Sequence, residues 1–203
     1  MSIVTYNNRS IANISAVPGA AESLTLIKTL TASSNSTLSF VDGSDDVVLD
    51  STYPIYIVRY INLHPSANGS YFQVNFRDGG SSYDATKTTT MFSARHKEDD
   101  STAELSYRSG NDLAQGTGVQ YVDGHGIPND NDNAISGILY LFNPASTTFV
   151  KHFLIRSTTG TNADDNFVAG YCNTTAAIDG IQFSYQSGNI DTGTIKLYGL
   201  KDS

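Results

Sequence analysis

Residues 71–77 read YFQVNFR, an alternation that sends Phe72, Val74 and Phe76 to one side and Gln73, Asn75 and Arg77 to the other. A period of two predicts a half-buried strand. Residues 55–64, IYIVRYINLH, are apolar on both parities and predict a central strand covered on both faces. Residues 24–31, 36–41, 88–96, 135–143, 147–156, 166–173, 178–185 and 192–198 carry further strand patterns, the third of them rich in β-branched Thr. Pro144-Ala145-Ser146 suits a tight antiparallel hairpin between two of them. Residues 97–134 are the least regular part and predict a long excursion with one short strand, near 103–107 or 119–122.

Turn formers punctuate the chain at intervals of about 8–12 residues, and no convincing helical period occurs. The expected fold is therefore all-β: an antiparallel two-sheet β-sandwich, jelly-roll-like, of about nine to ten strands. Residues 1–22 stand apart as an extended polar arm ending near Pro18-Gly19, with the sandwich domain over 23–203. No fixed-period repeat suggests a solenoid or propeller.

Composition sharpens this picture. The chain holds 24 Ser, 21 Thr, 16 Asn and 17 Gly, so turn and strand formers dominate and an all-α fold is excluded. The net charge is −8, with 17 Asp but only 3 Glu, and no basic stripe is present to neutralise phosphates. Nucleic acid is thus not an expected partner. No apolar run approaches the length of a membrane span, so no membrane partner is expected either. The opening residues lack a basic start followed by an apolar stretch, which predicts synthesis in a cytosol. With Cys172 alone, no intrachain disulfide forms and packing must hold the fold.

Candidate chemistry is thin. His64, His96, His125 and His152 sit in no metal-ligating or nucleophile-activating spacing. Asn129, Asp130, Asn131, Asp132 and Asn133 form a dense oxygen cluster that matches a Ca²⁺ loop only in composition: the sixth position is Ala134 rather than Gly, and the twelfth is Tyr140 rather than Glu. Glu98, Asp99 and Asp100 read as a charged surface loop. Cys172 reads as a small buried hydrophobe. No catalytic residue, metal ligand set or cofactor is expected, and the protein is read as a non-enzyme. Twelve Tyr permit a sugar-stacking platform, although Trp is absent.

Several stretches resemble a group of small virion proteins of marine tailed bacteriophages, cyanophages and pelagiphages. They are residues 8–17 (NRSIANISAV), 51–76, 85–92 (ATKTTTMF), 112–117 (DLAQGT), 134–153 (AISGILYLFNPASTTFVKHF) and 167–200. The resemblance covers most of the chain and carries no catalytic residues. It implies a structural protein of the phage particle, assembled in the host cytoplasm and displayed on a tail fibre, baseplate appendage or head surface. It also implies a homo-oligomer, with a trimer favoured, that contacts other virion proteins. The arm then has a role as an anchor, through Ile3, Val4, Tyr6, Ile11 and Ile14. The alternative is a receptor- or carbohydrate-binding module at a fibre tip, with a host-surface glycan as partner and the loops of 97–134 as the binding region.

Overall fold

A computed structural model describes residues 24–160 and 162–201, so the arm and its five expected anchor residues lie outside the described residues. Twelve strands and no helix are present among those described. They are β1 (Leu24–Thr31), β2 (Thr37–Val41), β3 (Ile55–Pro65), β4 (Phe72–Arg77), β5 (Lys87–His96) and β6 (Ala103–Tyr107), followed by β7 (Gln120–Tyr121), β8 (Ile135–Phe142), β9 (Lys151–Thr159), β10 (Ala163–Cys172), β11 (Gly180–Tyr185) and β12 (Ile190–Leu200).

The strands form two antiparallel sheets. One has eight strands in the order β1-β12-β3-β8-β9-β10-β5-β6; the other has four, β2-β11-β4-β7. Eight of the twelve trace a jelly roll. Taking β1, β2, β3, β4, β7, β8, β11 and β12 in chain order, first pairs with last (β1–β12), second with seventh (β2–β11), third with sixth (β3–β8) and fourth with fifth (β4–β7). That nesting is one long hairpin rolled up, the topology of a double-sheet jelly roll. The other four strands are two inserted hairpins: β5–β6 between β4 and β7, and β9–β10 between β8 and β11. They pair with each other through β10 and β5, and with the sandwich through β8 and β9. The eight-stranded sheet is thus half sandwich and half extension.

The core fills the space between the sheets. Tyr56, Val58 and Tyr60 on β3, Leu139 and Leu141 on β8, and Ile195 and Leu197 on β12 face Phe40, Phe72, Val74, Phe76, Ile181 and Phe183 of the small sheet, and all are buried. Phe72 lies at the centre, with ring centroids 5.4 Å from Tyr60, 5.8 Å from Phe183 and 5.2 Å from Tyr185. Such pairs add about 0.5–1.5 kcal/mol each beyond the area they bury. At Gly137, opposite Tyr60, an added Cβ would stand 2.5 Å from the Tyr60 hydroxyl, so the close approach of β3 and β8 requires glycine.

The strand pattern departs from the sequence expectation in four places. Both short segments of the excursion become strands, β6 and β7, which brings the number to twelve. Gln73 and Asn75 were expected on an open face but are buried. The Asn75 amide donates to Tyr83 O at 2.5 Å, and Gln73 accepts from the Ser184 hydroxyl at 3.3 Å, because connecting chain folds over that side of β4. β8 and β9 do pair as a hairpin, but residues 147–150 belong to its connection. There Ser146 Oγ accepts from the Thr148 and Phe149 amides, and Pro144 O is taken by the Ile178 amide at 2.9 Å. Finally, β3 is central as expected, yet among the described residues only one of its faces is fully covered: Arg59 and Ile61 are exposed.

Candidate interaction face

The two faces of the eight-stranded sheet differ in what covers them. The inner face of the sandwich half is covered by the small sheet. The inner face of the extension is covered instead by the returning chain of residues 108–127. A loop brings backbone groups that need partners, so the strands beneath it must be polar. Thr89 on β5 donates to Gln120 Oε1 at 2.7 Å and accepts from the Leu113 amide at 2.8 Å. Asn166 on β10 accepts from the Gly124 amide at 3.0 Å, and Ser157 on β9 donates to Val122 O. Asp123, in this loop, takes the Phe72 amide at 2.6 Å and the Gly126 amide at 2.7 Å, and burial pushes its carboxyl up to about 6.

Among the described residues, no second layer covers the outer face of the same sheet. Strand register lays its side chains out in rows. One row crosses all eight strands: Thr29, Lys196, Arg59, Ile138, Arg156, Phe167, Phe92 and Tyr107. The next runs Leu26, Tyr198, Ile57, Tyr140, Leu154, Ala169 and Thr90. A third holds Leu24, Leu200, Ile55 and Phe142 on the sandwich half, with His152, Tyr171 and Thr88 on the extension. Leu26 is 51% exposed, Leu154 47%, Phe92 41% and Tyr107 57%, which marks a broad apolar surface open to water. Shallow hollows of about 360 and 460 Å³ lie between these rows, around Leu154 with Phe92 and Phe167, and around Leu154 with His152 and Tyr171.

The polar groups on this face are largely paired already. Phe167 stacks on Phe92 with centroids 4.8 Å apart and planes 8° from parallel. Arg156 places its guanidinium 4.8 Å from the centroid of the same Phe167 ring and forks onto Asp165 at 2.9 and 2.6 Å. Because Phe92 and Arg156 come from the strands on either side of β10, the Phe167 ring is flanked on both sides. Arg59 sits 5.3 Å from the centroid of the Tyr198 ring.

The chemistry-bearing residues of the sequence scatter rather than converge. His152 is on the outer face beside Tyr171, with ring centroids 6.2 Å apart. His125 lies at the far end of the extension, with Nδ1 3.4 Å from Asp164 and Nε2 3.8 Å from Glu104. His64 is near Asp191 at 3.7 Å, and His96 contacts Asp100 at 2.9 Å. Cys172 is buried on the inner face, in register with Lys87 on one side and Lys151 on the other, and burial pushes its thiol up to about 12. A thiol held protonated in this way is a poor nucleophile. The oxygen-rich loop is tied down by its own contacts: Asn129 donates to Ser66 O at 3.3 Å and the Asn133 amide to Asp130 O at 2.9 Å. Among the described residues, no group of three or more His, Cys, Asp and Glu side chains is arranged to hold a metal ion. The sequence reading missed the apolar outer face, although its signal was present: apolar residues on both parities of β3, β8 and β9.

No family model matches the chain. No curated protein matches it. A solved structure, the infectious bursal disease virus VP2 subviral particle, aligns at 13% identity over 90% of this chain and 42% of that chain, with a TM-score of 0.13. The chain thus spans less than half the length of that protein, and likeness at this level carries no argument. Fold and face together define a jelly-roll β-sandwich whose larger sheet is doubled in width by two inserted hairpins and presents an uncovered apolar surface.

Proposed function

We propose that this chain is a non-enzymatic structural subunit of a tailed-phage particle, a building block displayed on the particle surface and anchored by residues 1–22. One observation of the structure carries the building-block reading: the exposed apolar side chains, Leu26, Phe92, Tyr107 and Leu154 among them, on the outer face of the eight-stranded sheet. Monomeric soluble proteins rarely leave a contiguous apolar surface of this kind, and a large one marks a place where another macromolecule sits. The resemblance to marine phage virion proteins supplies the particle. The anchoring role of Ile3, Val4, Tyr6, Ile11 and Ile14 comes from that same reading.

The carbohydrate-binding alternative is the weaker one on this face. A sugar ring needs a free aromatic face beside unpaired hydrogen-bonding groups. Here Phe167 is flanked on both sides, and the Arg156 and Asp165 side chains are spent on one another.

The test is protein mass spectrometry of purified particles from a phage that encodes this chain, with a parallel phage lacking residues 1–22 of it. The expected result is the full chain at stoichiometric copy number and loss of the truncated chain from particles. Absence of the full chain from particles overturns the virion reading. Normal incorporation of the truncated chain overturns the anchor.

A further inference from the structure

We infer that the outer face of the eight-stranded sheet packs against the same face of a second copy of this chain, about a twofold axis parallel to the strands and between β8 and β9. The inference rests on the building-block reading above and names its partner. Three observations lead to it.

The first is how far the face is finished. β3 is apolar on both parities, as a strand covered on both sides is, yet among the described residues its outer side is open at Arg59 and Ile61 and buried only at Ile57. The same holds for β8, where Ile138, Tyr140 and Phe142 are only partly covered, and for β9 at Leu154.

The second is area. Eight strands about 4.8 Å apart, carrying three rows of side chains, present a sheet surface of roughly 38 by 18 Å, about 700 Å². A stable specific interface takes about 800 Å² from each partner, so the face is of the right size for one protein.

The third is self-complementarity. A twofold along the strands keeps each row in place and reverses the strand order, so that β12 faces β5 of the other copy and β3 faces its β10. In the row that spans the sheet, Lys196 and Arg59 stand on one half, and Phe167, Phe92 and Tyr107 stand with Arg156 on the other. The operation therefore sets Lys196 against Phe92, one cation–ring pairing on each side of the axis, and lays the aliphatic stem of Arg59 beside the Phe167 ring. In the second row it sets Tyr198 against Thr90, Ile57 against Ala169 and Tyr140 against Leu154. In the third it sets Ile55 against Tyr171 and Phe142 against His152. Isologous packing of this kind, with sheets aligned about 10 Å apart, is how two faces of one chemistry cover each other.

Light scattering coupled to size exclusion tests this on the purified full chain over a dilution series. The expected mass is twice 21.8 kDa. Leu154→Asp and Arg59→Glu both alter exposed positions, and each shifts the mass to 21.8 kDa while the β-sheet circular dichroism is retained. The double variant R59E/F167K puts opposite charges across the axis and returns the mass to the dimer value. A wild-type mass of one chain overturns the inference. So does a threefold mass, the arrangement the resemblance favours, and so does dimerisation that survives both single substitutions. A double variant that remains monomeric overturns the twofold pairing. These outcomes are separable from the particle experiment: a chain found in particles but monomeric in solution removes only the twofold, and a dimer absent from particles removes only the virion reading.

Discussion

The sandwich half and the extension half of one continuous sheet differ in how polar a surface they bury. Beneath the sandwich strands lies a dry aromatic layer, with Tyr60, Phe72 and Phe183 in mutual contact. Beneath the extension the buried residues include Lys87, Thr89, Ser93, Lys151, Ser157, Asp164 and Asn166, seven of the buried polar side chains of the chain. Above the sheet, Arg59 and Lys196 stand among Tyr198, Ile57, Ile138 and Tyr140 on the sandwich half, and Arg156 stands among Phe92, Leu154 and Phe167 on the extension. The difference follows from the cover. A second sheet satisfies its own backbone and demands only apolar contact, whereas a loop demands hydrogen bonds from what lies below it. The extension is therefore held from below by polar pairing around a smaller apolar set, Met91, Phe153, Ile155, Val168 and Cys172, while Phe92, Leu154 and Phe167 face outward.

The largest expected effect sits in the sandwich. Phe72→Ala removes the ring at the centre of the aromatic layer, a fully buried site hemmed by three other rings. A loss of about 3–5 kcal/mol is expected in urea unfolding. An equal loss from a polar substitution under the extension would erase the contrast between the two halves.

Acid titration probes the extension's cover directly. Asp123 has its carboxyl raised from 3.8 to about 6, with burial as the main cause and the amides of Phe72 and Gly126 opposing it. Between those values the folded chain holds a proton that the unfolded chain has lost. Stability therefore falls as pH rises through this window, by about 3 kcal/mol if each unit is worth about 1.4 kcal/mol. Asp123→Asn flattens that slope. Lys87 behaves in the opposite sense at alkaline pH. Burial lowers its ammonium from 10.5 to about 8, so the unfolded chain binds the proton more tightly and stability rises as pH climbs from about 8 toward 10.5. Unfolding midpoints that do not move in either window would show that the polar layer is wet and loosely held.

A smaller effect tests whether single hydrogen bonds carry that cover. Thr89→Val keeps the shape of the side chain but removes its bonds to Gln120 and to the Leu113 amide. A loss of about 1–2 kcal/mol is expected, accompanied by faster amide exchange in residues 108–127 but not in β2 or β11.

How much of this was written in the sequence depends on the half considered. In the sandwich, local alternation found the core side of β4, where Phe72, Val74 and Phe76 line the core, but it missed the burial of Gln73 and Asn75 on the other side. The pairing of those strands was not legible, because β1 meets β12 through Leu24 and Leu200, positions that share no local signal. In the extension, alternation misleads. Ser157, Asp164 and Asn166 occupy inward positions, while Leu154 and Phe167 point out, so polarity no longer reports depth. The identity of the cover decides which parity is buried, and that cover is a segment whose irregular sequence gives no hint of where it folds. The candidate face was legible only as the excess of apolar residues on both parities of β3, β8 and β9. The anchor residues of the arm lie outside the described residues.

The smallest effect separates the halves most finely. Each carries an Arg–Asp fork. Arg77 grips Asp179 at 2.8 and 3.1 Å beside the small sheet, with side-chain exposures of 16% and 31%. Arg156 grips Asp165 on the outer face, where the exposures are 62% and 37%. Partial burial shields the first pair from solvent, and Asp179→Asn is expected to cost about 0.5–1 kcal/mol. The second pair is screened in the single chain, so Asp165→Asn leaves the unfolding midpoint unchanged when made in the monomeric Leu154→Asp background. In the wild-type background the same substitution lies under the proposed second copy, where β10 faces β3, and is expected to move the midpoint in proportion to dimer content. An Asp165→Asn effect identical in both backgrounds would mean that the outer face is as wet in the assembly as in the single chain, and the contrast between a finished half and an unfinished one would fail there.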